Sequence, residues 1–503
     1  MTKQFSNYSD LITFTRASKG HALRPVSYGS ELVTNGDFST DSDWTKGTGW
    51  TISNGVADLD GSQGGNSDLS QSLTLKANAI YQLSVEVTAV TTALQYVTIT
   101  NTGGAELDSL STTGTYTAIF VAPSTSENLN IRGTSSSVST IDNVSVKEVL
   151  FDQPDGTLTL FEHPNNVPRV EWDADRNRLG LLVEESRTNL LTYSEDFSDS
   201  SWESVGTKVP NSAISPTGEN NASLLSVDYL EIRPSVTSGT QYTYSIFVKA
   251  LTDSTPQIIA TGTSFPNTQA NFDLTDGTVT STTAEDATIQ NYGNGWFRIS
   301  ITETATATDS TSRLRLFCEQ AYIWGAQFEA GSFPTSYMKN EGTASGVTRS
   351  ADVASIPVAD FGYNQSEGTL FVEWKQSIGA ASYVAMLSDG TATNRSMVRQ
   401  FANGSAYYST ITNSVSQGDI LTGTVVDNQS NKIGVVYKHN DAAGVLNGAS
   451  AVTDATFLVP EGVSTLSIGS YTVGSSQYIN GHIKKLMYIP RRVTNAQLIS
   501  LTE

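Results

Sequence analysis

One cysteine, Cys318, stands among 503 residues, with four histidines and five methionines. A single thiol excludes an intramolecular disulfide framework and any cysteine-built zinc cluster, and it leaves the redox compartment open. His21, His163, His439 and His482 lie far apart, with no HExxH or comparable pair, which argues against a zinc hydrolase. Charge is sparse at 16%, and cations are the scarcer sign: 29 Lys plus Arg against 50 Asp plus Glu give a net charge of -21. Such a balance disfavours nucleic-acid phosphates and anionic membranes, so no nucleic acid and no membrane insertion are expected. No apolar run is long enough to span a bilayer, and the opening MTKQFSNYSDLITFTRASKG has no continuous apolar signal region. A soluble chain made in a cytoplasm is the expectation. No G-x-S-x-G elbow, P-loop or strand-to-helix GxGxxG occurs, which argues against serine-hydrolase, nucleotide and dinucleotide chemistry.

Helical periodicity is nearly missing as well, and period-two alternation stands in its place. Tyr81, Leu83, Val85 and Val87 alternate with Gln82, Ser84, Glu86 and Thr88, and 296–301 (WFRISI), 313–317 (RLRLF) and 433–437 (IGVVY) also read as strands. Asn-Gly or Asp-Gly recurs at positions 54, 155, 276, 403 and 447, where tight hairpins need positive φ. Twenty Tyr, 18 Phe and 7 Trp supply core material, so disorder is not expected. The length predicts about three or four domains, and the pattern predicts an all-β protein of sandwiches or jelly rolls.

Comparing segments exposes a duplication. LVTNGDFSTDSDW at 32–44 matches LLTYSEDFSDSSW at 190–202, YQLSVEVTA at 81–89 matches YTYSIFVKA at 242–250, and IDNVSVKEV at 141–149 matches IWGAQFEAG at 323–331. The second copy is longer between its last two landmarks, by about one hairpin. These landmarks resemble galactose-binding-like jelly rolls of carbohydrate-binding modules, with Trp324-Gly325 replacing Asp142-Asn143 in the second copy. ITFTRAS at 12–18 and PRVEWDADRNRLGLLVEESRTNL at 168–190 resemble the two ends of one compact module of phage tail-fibre and head-fibre proteins, the string GLLVEESRTNLLTYSEDF being the most specific. The ending LSIGSYTVGSSQYINGHIKKLMYIPRRVTNAQLISL resembles a concanavalin A-like, laminin-G-like sandwich closing on a short helix at 494–501. The expected domains are a split β module (1–30 with 150–189), an inserted first jelly roll (31–149), a second jelly roll (190–340), a linker (341–360) and the C-terminal sandwich (361–503).

Candidate chemistry is thin. Glu184 and Glu185 are a tempting carboxylate pair, but as neighbours on a strand they point to opposite faces, so salt bridging with Arg187 or Arg178 is the expectation. Asp58, Asp60, Asn66 and Asp68 could offer oxygens to a structural calcium, although their spacing is not that of an EF-hand and no cofactor is otherwise expected. Trp44 and Trp202 occupy matching places and are read as core. Trp50, Tyr408 and Tyr471, outside the shared pattern and near turns, are the candidates for stacking on sugar.

The resemblance implies a tailed-phage virion appendage (tail fibre, tail spike or head fibre) that attaches to host-surface glycan without catalysis. It also implies a homo-oligomer, a trimer by analogy, assembled with other virion structural proteins and released from the host cytoplasm by lysis. A polysaccharide-degrading spike and a purely structural decoration protein are the rival readings.

Overall fold

The computed structural model describes residues 11–99, 106–376, 381–471 and 477–503. Nearly every described element is a strand; among the described residues the two helices, Val358–Phe361 and Asn495–Thr502, are short. The second of these is set by a capping box in which Thr494 Oγ1 accepts from Gln497 N and Gln497 Oε1 accepts from Thr494 N. The chain folds as two compact units, Pro25–Thr157 and the remainder.

Pro25–Thr157 is the first jelly roll. One sheet runs Thr45–Lys46, Ser67–Thr74, Ser126–Gly133, Leu94–Ile99, Leu107–Leu110; the other is built on Gly114–Val121, Ile80–Thr92, Val138–Phe151 and the end of Gly20–Glu31. Alternation works as the sequence implies: Tyr81, Leu83, Val85 and Val87 face a core shared with Leu69, Val97, Leu129 and Ile141.

The second jelly roll repeats this plan within the larger unit. Gln241–Ala250 lies between Trp296–Thr304 and Ala321–Ala330, as Ile80–Thr92 lies between Gly114–Val121 and Val138–Phe151. Equivalence extends to single atoms. Trp44 Nε1 donates to Asn35 O and Trp202 Nε1 to Tyr193 O, each nine residues back at 3.0 Å. Tyr81 and Tyr242 each accept, through the phenol oxygen, from the backbone N–H five residues earlier. Both tryptophans are buried beside a landmark phenylalanine, Phe38 or Phe197. The extra length of the second copy is the strands Thr278–Thr282 and Asp286–Gly293. Its layers are joined because Ala222–Ile232 pairs with Ala321–Ala330 at one end and with Arg313–Phe317 at the other.

The C-terminal sandwich has two seven-stranded sheets, and neither is made of C-terminal residues alone. Thr13–Thr15 pairs with Val353–Pro357, and Arg178–Val183 pairs with Gly481–Ile489. Phe14, Leu181 and Val183 share one core with Trp374, Val398 and Ile433. The segments expected to close on each other as a split module thus complete this sandwich. A further part, Leu23 with Leu158 and Leu160, packs on Phe247, Trp296 and Trp324 of the second jelly roll. The opening ten residues of that expected module lie outside the described residues.

A buried charge cluster ties these segments together. Arg16, Arg169 and Arg349 converge on Asp352 and Glu184, all nearly inaccessible to solvent. Glu184 also accepts from Ser336 N at 2.8 Å and Ser336 Oγ at 2.7 Å, and Asp352 accepts from Glu184 N at 2.9 Å. Arg16 donates to Pro164 O at 2.9 Å, and Arg349 to Glu185 O at 2.6 Å. Removing one partner from such a group strands a buried charge, at a cost of about 3–5 kcal/mol, whereas an exposed pair contributes at most about 1. The string GLLVEESRTNLL is therefore a joint: Leu181 and Val183 enter the C-terminal core, Glu184 enters the cluster, and Leu191 enters the core of the second jelly roll. Asn189 fixes that last turn, donating to Met338 O at 2.8 Å and accepting from Phe328 N at 3.1 Å. The expected linker is a packed strap, since Val347–Arg349 pairs with Arg187–Asn189 and carries Arg349 into the cluster.

Candidate functional site

The three aromatic candidates fare differently. Trp50 is 4% exposed and directs Nε1 to Ser67 O at 3.4 Å. Tyr408 is 2% exposed, stacks on Phe457 at 5.4 Å and accepts from Ser396 Oγ at 2.7 Å, and burial raises its phenol pKa. Neither offers a ring face to a sugar. Their nearness to turns is misleading, because the period-two register puts Trp50 with Ile52, and Tyr408 with Ala406, on inward faces. Tyr471 is only partly buried, stacked on Tyr383 at 4.9 Å and accepting from Arg395 Nη1 at 2.9 Å. Residues 472–476, which follow it, lie outside the described residues.

The calcium candidates do not converge. Asp58 accepts from Thr140 Oγ1 at 2.6 Å, Asp60 from Ser62 N at 2.8 Å, and Asp68 from two guanidinium nitrogens of Arg132 at 2.6 Å each. Among the described residues no group of three or more His, Cys, Asp or Glu is placed to hold a metal ion. Glu185 pairs with Arg187 at 2.5 Å and Glu184 with Arg169 at 2.8 Å, so this adjacent pair serves the structure. His21 and His163 are buried, and His482 Nε2 meets Glu171 Oε2 at 2.6 Å.

What the two jelly rolls do present is the outer face of one equivalent sheet. In the first, Asp68, Arg132 and Tyr96 stand in one cross-strand row, and the Arg132 guanidinium lies over the Tyr96 ring at 5.1 Å. Ser70, Asn130 and Thr98 form the next row. In the second, Glu231, Arg315, Ile259 and Gln269 form a row, with Arg315 over Tyr229 at 4.7 Å. Phe317, Gln257 and Asn271 form the neighbouring row, and the Tyr229 and Phe317 rings meet at 5.7 Å. Leu314 and Leu316 point into the core, so alternation obliges Arg313, Arg315 and Phe317 to point out. An open groove adjoins each face along the matching strand pair. One, of about 370 Å³, is lined by Thr45, Lys46, Asn66 and Asp68. The other, of about 890 Å³, is lined by Val205, Gly206, Ser226, Asp253 and Gln320. Sequence reasoning sees RLRLF as a strand, and that alternation is the signal that could have exposed these outward residues.

A third groove in the second jelly roll, of about 480 Å³, holds Glu195, Glu219, Lys339 and Glu341. Burial pushes the Glu195 carboxyl up, against the pull of Lys339 and of the Tyr337 hydroxyl that donates to it at 2.8 Å. Asn221 Nδ2 bridges Glu195 and Glu219 at 3.1 and 3.5 Å.

No protein-family model and no curated protein matches the chain. Among solved structures, the CBM40 of Ruminococcus gnavus IT-sialidase is similar at 14% identity and TM-score 0.25, covering 28% of this chain and 84% of that one. The CBM22 tandem domain of Paenibacillus barcinonensis Xyn10C is similar at 11% identity and TM-score 0.19, covering 62% of this chain and 100% of that one. Mouse laminin alpha1 domains LG4-5 are similar at 9% identity and TM-score 0.21, covering 65% of this chain and 96% of that one.

Proposed function

We propose that this chain is a non-catalytic attachment subunit of a tailed-phage virion appendage, binding host-surface glycan on the outer sheet faces of its jelly rolls. The observation that carries the reading is the repetition. Two copies that differ widely in sequence both hold a half-exposed tyrosine, a guanidinium pinned by a carboxylate, and amide or hydroxyl side chains on the same sheet face. Aromatic rings over sugar C–H faces, with amides and arginines for hydroxyls, are the chemistry of glycan recognition, and none of it needs a shifted pKa. The joint motif adds the resemblance to phage fibres, which brings the virion, its other structural proteins and a homotrimer into the proposal. Single sites of this open kind bind weakly, near the millimolar range or about -4 kcal/mol, so attachment relies on multiplicity.

Competition tests this. Purified protein in excess should slow adsorption of the parent virion to its host, and Tyr229→Ala with Phe317→Ala should abolish that effect while leaving thermal unfolding within a few degrees. Undiminished virion adsorption at saturating protein would count against the reading. One observation favours the rival, polysaccharide cleavage: a carboxyl raised by burial, Glu195, shares a groove with Glu219. Loss of oligosaccharide release in Glu195→Gln would establish that rival.

A further inference from the structure

The two jelly-roll faces share a plan but not a charge pattern. In the first copy the single guanidinium is fully engaged: Arg132 Nε and Nη2 both donate to Asp68, at 2.6 Å each, and the rows beside it are Ser70, Asn130 and Thr98, then Ser72 and Asn128. Asp108, exposed and across from Tyr96, adds a carboxylate to the same row, so that face holds no spare cation.

In the second copy Glu231 sits at 1% exposure on the sheet floor with three arginines around it. Arg233 Nε donates to its Oε1 at 2.6 Å, Arg315 Nε donates to its Oε2, and Arg313 Nε stands 3.7 Å from Oε1. Arg233 and Arg315 are held by the inner nitrogen, Nε. Of their terminal nitrogens, Arg233 Nη2 donates to Glu203 at 2.7 Å, at an exposed rim. Three guanidiniums are gathered around Glu231, with Glu203 at the rim and Asp253 and Glu319 farther along in the adjoining groove, on a chain of net charge -21. A guanidinium fork matches a carboxylate in geometry, and a pinned one loses little freedom on binding. The aromatic row is two residues along the strand from this row, about 7 Å, so a ring lying on Phe317 can bring a substituent over Arg315 and Arg313.

Resting on the attachment reading above, we infer that the second jelly roll selects a carboxylate-bearing glycan, with Glu231 as the buried anchor, Arg313 and Arg315 as the carboxylate fork, and Tyr229 and Phe317 as the stacking floor. Glu231 positions and does not touch ligand. The first jelly roll, with its arginine already paired, takes neutral sugar units. Recognition of an acid polymer by so acidic a protein runs against the overall field, so it must be local and must weaken as salt rises.

Arg313 gives the clean test, because it is the loosest of the three on Glu231 and 46% exposed, and its removal leaves Arg233 and Arg315 on the carboxylate. Affinity electrophoresis of the full chain through gels holding polygalacturonate, its fully methyl-esterified form, or hyaluronan reads the preference directly. Retardation by at least one acid polymer should be at least tenfold stronger than by the ester. Arg313→Ala should lower it to the ester's level and Arg313→Lys restore it in part, while loss of an exposed cation outside both faces, Lys438→Ala, leaves it unchanged. Equal retardation by acid and ester, no retardation by either acid polymer, or an unchanged preference in Arg313→Ala overturns the inference. If host polysaccharide is still bound in those cases, the attachment reading stands alone. If no polysaccharide is bound, both fall.

Discussion

His21 and Glu184 show how single buried groups make this protein sensitive to acid. Burial pulls His21 from 6.5 to about 4, and its Nδ1 meets Tyr337 O at 2.9 Å, a bond the neutral ring can donate. The unfolded chain therefore protonates first, so the stability His21 contributes is complete above about 6.5 and drains as pH falls to about 4. That share is on the order of 3 kcal/mol. Burial alone would raise Glu184, but Arg349, Arg169 and Ser336 overcome it and hold the carboxyl well below its ordinary 4.5. Its contribution is present above about 4.5 and is lost only in stronger acid. Urea midpoints should therefore fall between pH 6.5 and 4.5, with a shallower fall in His21→Gln; equal slopes would remove His21 from the account. At this level the sequence was only partly legible. Glu184 and Glu185 were readable as ion-paired, but the partners Arg169 and Arg349 and the burial were not, because they come from segments 15 and 165 residues away. Trp50 and Tyr408 misled for a different reason, since one register position decides whether an aromatic faces core or solvent.

Strands were the most legible level. Alternation marked Ile80–Thr92, Trp296–Thr304 and Arg313–Phe317, and the landmarks aligned the two jelly rolls down to the matched Trp44 and Trp202 bonds. Partnership was less legible. Nothing local says that Thr13–Thr15 must find Val353–Pro357 across most of the chain, or that Arg178–Val183 adds to Gly481–Ile489. Fragments should behave accordingly. Pro25–Thr157 carries both of its sheets and its own core, and residues 25–157 alone should unfold cooperatively. Residues 353–503 lack Phe14, Leu181 and Val183 and leave two sheet edges open. Expressed alone they should aggregate or give a non-cooperative melt, and co-expression with the remainder should recover them. A cooperative transition for 353–503 on its own would show that the N-terminal strands are dispensable.

For the whole molecule, the plan is three sandwiches built from a chain whose ends interleave. Such an arrangement gives rigid sheets with open polar faces. Glu195 and Glu219 share a groove, the carboxylate pair on which polysaccharide cleavage would depend. Incubating purified full-length protein with host-surface polysaccharide, then following polymer size by size-exclusion chromatography alongside reducing ends, tests it most directly. A non-catalytic binder should co-elute with the polymer, leave its size profile unchanged and release no new reducing ends over hours. Shortening of the polymer with reducing ends rising in step would contradict this and make the chain an enzyme.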